Sequence, residues 1–182
     1  SLLFLFRWSV PKLFIGIFTL LLLTADLYAQ INIIPKPLEL KTPGHGGFRL
    51  HQNTLISFKE KGLKNSASFL NTYLSQFYGL SLKQNKTVQT KGIYLSLNNT
   101  ASKVPWNYSL EVKKEGIFIT WATEEGVFYG IQTLIQLMNP KPSKEKVLNI
   151  PFVQIHDEPR FQYRGMHLDV SRHFSPVSFV KK

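Results

Sequence analysis

Cysteine is absent from the 182 residues, methionine occurs twice, and only 11 acidic residues stand against 22 lysines and arginines. Without cysteine the chain cannot form disulfides, thiolate metal sites, a cysteine nucleophile or a lipid-modified cysteine. Long basic runs are also absent, because none exceeds the pairs Lys113-Lys114 and Lys181-Lys182. The net charge of +11 is therefore interpreted as solvated lysine faces, and no nucleic-acid-binding motif accompanies it.

The histidines give no sign of a metal site. His45, His51 and His156 lie far apart in the sequence, without the short spacing typical of metal ligands. We therefore expect neither a metal ion nor a cofactor.

The first 29 residues have the pattern of an export signal. Arg7 and Lys12 supply positive charge, residues 13–23 form an eleven-residue apolar run, and Ala29 is the expected last residue before cleavage. This run is shorter than the roughly 20 residues that a membrane-spanning helix needs. We expect export to the periplasm or the extracellular space, with no membrane attachment after cleavage. Because the chain begins with Ser1 and not Met, we also expect its true start to lie elsewhere.

Residues 30–158 predict one α+β domain, an antiparallel sheet covered by two helices. Strands are expected at residues 48–50, 54–58, 93–97 and 147–158, and a hairpin at residues 108–121. The first helix ends at Gly79, and its buried stripe is Leu63, Ala67, Leu70, Leu74 and Phe77. Thr123 caps the second, whose stripe is Val127, Ile131, Leu134 and Met138.

After Pro159 a new unit is expected to begin. Residues 163–170 predict a strand, and residues 175–182 predict the start of a helix with Ser175 as its cap and Pro176 at its first position. One strand and an incomplete helix cannot bury a core of their own. Residues 159–182 are therefore interpreted as the first βα unit of a larger domain, and the adjacent Asp157-Glu158 as part of the linker before it.

Three segments together resemble glycoside hydrolase family 20, the β-N-acetylhexosaminidases. They are "IIPKPLEL" at residues 33–40, "EEGVFYGIQTLIQL" at residues 124–137, and "DEPRFQYRGMHLDVSRHFSP" at residues 157–176. The resemblance implies that residues 159–182 begin a TIM (β/α)₈ barrel, truncated here, that carries the catalysis in this family.

The resemblance also implies a role for Arg164, which would bind hydroxyls of the terminal sugar. A guanidinium group suits this task, because it donates two aligned, charge-assisted hydrogen bonds to neighbouring oxygens; the alternative is a structural salt bridge. Asp169 and His173 are expected to support the pocket wall, since Asp169 has the opposite strand parity from Arg164. His167 is expected to be a core histidine.

The implied activity is hydrolysis of terminal non-reducing N-acetylhexosamine residues by substrate-assisted retaining catalysis. The catalytic Asp-Glu pair of the family is expected beyond Lys182, so no catalytic residue is assigned to this chain and the fragment alone is expected to be inactive. The expected partner is a chitooligosaccharide or another glycan that contains N-acetylhexosamine, and not nucleic acid. Preference between GlcNAc and GalNAc, and the oligomeric state, stay open.

An alternative from a different class is a carbohydrate-binding or adhesion module without catalysis. In that case Trp106 and Trp121 would form its aromatic platform. The position of Trp121 on the apolar face of the predicted hairpin favours a core role instead.

Overall fold

The computed structural model describes residues 31–86, 91–98, 106–138, 147–161, 163, 165, 167–171 and 174–181. Its strands are β1 (Glu39–Lys41), β2 (Gly47–Leu50), β3 (Leu55–Phe58), β4 (Lys83–Asn85), β5 (Gly92–Leu97), β6 (Tyr108–Lys113), β7 (Gly116–Trp121), β8 (Leu148–Pro151) and β9 (Val153–Asp157). Its helices are a 3-10 turn (Lys61–Leu63), α1 (Lys64–Tyr78), α2 (Glu124–Leu137) and the short α3 (Val177–Val180). The predicted export signal lies outside the described residues. Within the described ranges no helix is long and apolar enough to span a membrane.

The main sheet has seven strands in the order β1-β9-β6-β7-β5-β3-β4, and β2 pairs with β8 in a separate two-stranded sheet. The predicted hairpin is confirmed, because β6 and β7 pair antiparallel with Val112 opposite Ile117. The prediction of an antiparallel sheet is wrong: β7, β5, β3 and β4 run parallel to one another. Parallel neighbours need a crossover connection, and α1 supplies it between β3 and its parallel neighbours β4 and β5. The sheet is therefore mixed.

The C-terminal strand prediction also needs correction, since residues 147–158 form two strands in different sheets. β8 belongs to the small sheet, and β9 pairs with β1 and β6 in the large one. Phe152 lies between them, and its amide donates to the Gly46 carbonyl at 3.2 Å.

Helix α1 has the predicted stripe except at its end. Leu63, Ala67, Leu70 and Leu74 are fully buried, but Phe77 is 53% exposed and Tyr78 is buried in its place. Both residues share the face of Leu74 by helical spacing, and in this last turn the structure buries Tyr78 and leaves Phe77 exposed. The helix ends at Gly79, whose left-handed backbone (φ 65°) lets its amide bond the carbonyls of Leu74 and Ser75.

Helix α2 begins as predicted. The Thr123 hydroxyl accepts a hydrogen bond from the Gly126 amide at 3.2 Å, and Glu124 and Glu125 occupy the first turn. The predicted stripe of Val127, Ile131, Leu134 and Met138 is buried. Helix α2 packs on β5, β6 and β7, and α1 packs on β3 and against α2, so the core lies between this helical layer and one face of the sheet.

The segment after Pro159 differs from the prediction. The described residues within 163–170 form no strand, and they are exposed. A strand is defined by pairing with a neighbour, and no described strand lies beside this segment to pair with it. Helix α3 begins at Val177 with Pro176 as its N-cap, one position later than predicted, and Ser175 is not its cap. The truncated barrel and the boundary at residues 158–159 stay predictions.

Candidate functional site

Of the three predicted site residues, the structure describes only Asp169. Arg164 and His173 lie outside the described residues. Asp169 is exposed, and its Oδ1 accepts hydrogen bonds from the Ser171 hydroxyl at 2.6 Å and the Ser171 amide at 2.9 Å. These two bonds, the hydroxyl's first, hold the pKa of the Asp169 carboxyl below its usual value. The carboxylate thus fixes the local turn.

The core position expected for His167 belongs to the predicted barrel and stays a prediction. His167 is exposed, as are the described residues on either side of it. Its place in the sequence suggested a paired strand, and a strand's inward face is buried only where a neighbouring layer covers it.

A cleft of about 610 Å³ lies where β9 ends. Its walls come from the segment before β1, the start of β6, one side of α2 and the residues directly after β9. The side chains that face it are Ile33, Ile34, Pro35, Lys36, Leu38, Trp106, Tyr108, Tyr129, Gln132, Thr133, Gln136, Asp157, Glu158, Pro159, Arg160 and Phe161. The two ends of the domain, the segment before β1 and the residues after β9, therefore meet at this cleft.

Asp157 is the centre of a hydrogen-bond network in this cleft. Its Oδ1 accepts from the Leu38 amide at 3.0 Å, and its Oδ2 accepts from the Tyr108 hydroxyl at 3.2 Å. The Tyr108 oxygen lies 2.6 Å from the Thr133 hydroxyl. Because Tyr108 has one hydroxyl proton and gives it to the carboxylate, Thr133 donates to Tyr108. The network links β6, α2, β9 and the segment before β1.

Burial dominates the electrostatics of Tyr108. It raises the pKa of the phenol far above the usual 10.0. The hydrogen bond from Thr133 opposes this rise, and the nearby Asp157 carboxylate adds to it. Tyr108 is therefore a neutral donor at any physiological pH.

Two further contacts hold the same region. The Gln136 side-chain amide bonds the backbone of Ile34 in both directions, accepting from its amide at 2.9 Å and donating to its carbonyl at 3.0 Å. Asn107 Nδ2 donates to Glu158 Oε2 at 3.3 Å. These bonds tie the segment before β1 to α2, and the residue after β9 to the start of β6.

The interpretation of Asp157-Glu158 as a linker is wrong for Asp157, which is the last residue of β9 and faces Tyr108 across the sheet. Both of its carboxylate oxygens already accept hydrogen bonds. A carboxylate held in this way anchors the strand end and is not arranged for general acid-base catalysis.

One buried polar atom in the cleft wall has no partner. Gln132 Nε2 makes no hydrogen bond within the described part of the chain, and neither does Asn107 Oδ1, which is buried next to Trp106 in the sequence. Trp106, also in the wall, has a positive φ of 74°, which is uncommon for a side chain of its size. Trp121 is not part of the cleft wall, and its ring centroid lies 5.3 Å from that of His156. The aromatic platform of the alternative function stays a prediction.

Sequence reasoning missed Tyr108, Thr133 and Gln136 as members of this site. A signal for Thr133 exists, because it is a polar residue three positions after Gly130, at the border of the apolar stripe of α2. The bond between Tyr108 and Asp157 spans 49 residues, and no local pattern indicates it. Among the described residues, no group of three or more His, Asp or Glu side chains is gathered as a metal site.

Most of the chain is similar to known glycoside hydrolases. Residues 30–158 match the family described as glycosyl hydrolase family 20, domain 2. The β-hexosaminidase of Porphyromonas gingivalis is 37% identical over 158 residues, which are 84% of this chain and 20% of that protein. The β-hexosaminidase of Vibrio furnissii is 30% identical over 154 residues, 85% of this chain and 24% of the relative. The chain thus spans between a fifth and a quarter of the length of these relatives.

A solved structure shows the same fold. The GH20 exo β-N-acetylglucosaminidase of Vibrio harveyi, in complex with N-acetylglucosamine, superposes with a TM-score of 0.70 and 27% identity. The match covers 82% of this chain and 22% of that one. The α+β class predicted for residues 30–158 is confirmed by the fold and by this comparison.

Proposed function

The chain belongs to glycoside hydrolase family 20, and from this premise we propose that it is the N-terminal part of an exported β-N-acetylhexosaminidase. The observation that carries the proposal is its similarity, over 84% of its length, to a relative named β-hexosaminidase. Since the matched family region is domain 2, the catalytic barrel is proposed to come after it. Residues 159–182 would be the first part of that barrel.

The proposed substrate is a glycan with a terminal non-reducing N-acetylhexosamine. The complex of the Vibrio harveyi enzyme with N-acetylglucosamine supports this choice. The proposed mechanism is substrate-assisted retention, in which the 2-acetamido carbonyl of the sugar attacks the anomeric carbon. A glutamate protonates the leaving oxygen and then activates water, and an adjacent aspartate orients the acetamido group. Both belong to the part of the protein after Lys182.

Arg164 is proposed as the sugar-binding residue that this chain contributes. Its guanidinium group would hold two hydroxyls of the terminal sugar and so keep the ring in register. The turn made by Asp169 and Ser171 lies five residues further along and supports the same wall, with His173 proposed beside it. The chain alone, without the Asp-Glu pair, is proposed to be inactive.

The role proposed for the described domain is positional. The network around Asp157 fixes the point at which the chain leaves β9, two residues before Pro159 and seven before Arg164. A side chain that must meet a sugar within hydrogen-bond distance benefits from such a fixed origin, because small misplacements lower the rate.

The first test is the coding DNA beyond the codon for Lys182. We expect an open frame of several hundred residues, on the order of the length that a (β/α)₈ barrel needs, with an adjacent Asp-Glu pair in it. A stop codon directly after Lys182 would contradict the proposed enzymatic function and favour a glycan-binding module.

The role of Arg164 is tested in the protein encoded by that frame. Losing a charge-assisted bidentate contact costs about 1.5–3 kcal/mol, so Arg164→Ala is expected to lower kcat/KM by roughly 10- to 150-fold. Arg49→Ala, an exposed arginine on β2 outside the cleft, is the matched control and is expected to change it less than about twofold. Equal effects of the two substitutions would contradict the assignment.

A further inference from the structure

Four lysines surround a second depression, far along the sheet from β9. It has a volume of about 580 Å³ and lies where the end of β3, the 3-10 turn, the start of α1 and the end of β4 meet. Its lining consists of Phe58, Lys59, Lys61, Lys64, Gln84, Asn85 and Lys86. All four lysines are exposed, so their ammonium groups are free to meet a ligand. We call this feature the lysine depression.

These lysines have no ion-pair partner in the described part of the chain. The two ion pairs found there, Lys41 with Glu39 and Lys113 with Glu111, both lie outside the lysine depression. The carboxylates near it are Glu60, which is half-buried, and Glu124, which packs against Gly62. Neither comes within 4.0 Å of a lysine nitrogen there. The local charge is therefore positive and unpaired.

The position of two of the lysines is locally unfavourable. Lys61 and Lys64 lie at the start of the helical segment, and the first turn of α1 has no acidic residue. A helix start favours negative charge, because the macrodipole places positive charge there. Features that break a local rule without compensation inside the fold are expected at functional positions.

We propose that the lysine depression binds the sulfate or carboxylate groups of an acidic glycan. The inference deepens the proposed function, on which it rests, by giving the domain a site that recruits a charged glycan apart from the catalytic pocket. Its volume lies in the range of about 300–1,000 Å³ that is typical of small-ligand sites. The exposed Gln84 adds a side-chain amide, a group that bonds sugar hydroxyls, next to ammonium groups that bind anions.

The lining favours a glycan over a nucleic acid. Proteins that bind single-stranded nucleic acid combine basic residues with exposed aromatic rings on which bases stack. Phe58 is the one aromatic residue in the described lining, and it is only 8% exposed.

The experiment compares two variants of the full chain with equal charge. In the first, Lys59, Lys61, Lys64 and Lys86 are each changed to Gln. In the second, the control, four exposed lysines elsewhere are changed to Gln: Lys36, Lys91, Lys114 and Lys181. Binding of a heparin tetrasaccharide is measured by calorimetry near physiological salt, with chitotetraose as the uncharged probe and a short DNA strand as the nucleic-acid probe. Circular dichroism checks that both variants fold.

Each exposed ion pair contributes a factor of roughly 1.5 to 5 in affinity. We expect heparin tetrasaccharide to bind roughly tenfold or more weakly to the first variant and to change less than about twofold in the control. Equal weakening in both variants, no binding to the unchanged chain, or tighter binding of DNA than of the tetrasaccharide would overturn the proposal. Hydrolysis of an uncharged aryl glycoside by the longer protein should be equal with and without the first set of changes. Absence of that hydrolysis contradicts the proposed function and leaves the binding result to decide this inference.

Discussion

Replacing Tyr108 with phenylalanine tests the network that fixes the end of β9. The substitution removes one oxygen and keeps the buried ring. It breaks the 3.2 Å bond to Asp157 and the 2.6 Å bond from Thr133. Asp157 keeps its bond from the Leu38 amide, so the strand end loses one of its two anchors.

The size of the effect is set by the two bonds. A hydrogen bond to a charged group contributes about 1.5–3 kcal/mol, and one between neutral groups contributes about 1 kcal/mol. The ring stays packed, so no cavity cost adds to these. We expect Tyr108→Phe to lower the free energy of unfolding by about 2.5–4 kcal/mol, a large part of the roughly 5–15 kcal/mol typical of a domain.

Urea unfolding, followed by circular dichroism, measures the change. Tyr163→Phe is the matched control, because Tyr163 is 89% exposed, and its effect should stay within about 0.5 kcal/mol. A double-mutant cycle with Thr133→Val should give a coupling energy of about 1 kcal/mol. A loss below about 0.5 kcal/mol for Tyr108→Phe would refute the reasoning.

The same network predicts a dependence on alkaline pH. The pKa of Tyr108 is raised in the folded protein above the 10.0 of an ordinary tyrosine, so folding favours the neutral phenol. The stability that this contributes is fully present below pH 10 and is lost as the pH rises above it, because the unfolded chain then releases the proton first. The decline above pH 10 should be smaller in Tyr108→Phe than in the unchanged chain.

Three further substitutions, in the helical layer and on the sheet surface, should change the free energy of unfolding, which urea unfolding measures. Gly130→Ala should destabilise by about 1–3 kcal/mol despite the better helix propensity of alanine, because its Cβ would lie 2.5 Å from Ile119 Cγ2; a gain in stability would contradict this packing. Thr123→Ala should cost about 1 kcal/mol through the lost cap, and no loss would mean that the cap is unimportant. The pKa of Glu111 is lowered, first by its hydrogen bond with Lys113, so its stabilisation is lost as the pH falls below the ordinary 4.5. Glu111→Gln should therefore flatten the stability profile on the acid side of pH 4.5, and an unchanged slope would count against the bond.

Local signals predict the helices and the hairpin well. Thr123 and Gly79 cap their helices in the structure, as the sequence predicts, because a cap depends only on the three or four neighbouring residues. The β6–β7 hairpin likewise depends on a short turn, at Lys114 and Glu115.

Sheet order could not be predicted in the same way. Whether β5 pairs parallel with β3 and β7 is decided by the packing of α1 and α2 on one face, and the strand patterns themselves are the same in either arrangement. The short strands β1 and β4, of three residues each, carry too little alternation to be recognised.

The candidate site shows the same difference between local and long-range features. The roles of Arg164, Asp169 and His173 rest on a resemblance of sequence, and only Asp169 is described by the structure. The nearby Pro159 makes Asp157 look like a linker residue in the sequence, whereas its true partners lie on other elements, at Tyr108 and in the backbone of Leu38. Long-range hydrogen bonds of this kind leave no periodic signal in the sequence.

We propose that this chain is the first part of a β-N-acetylhexosaminidase whose catalysis depends on residues beyond Lys182. The direct measurement is the release of the aryl group from an aryl β-N-acetylglucosaminide, by the protein of the complete reading frame and by residues 30–182 in parallel. We predict turnover by the longer protein and none by residues 30–182. Turnover by residues 30–182, or none by the longer protein, would contradict the account.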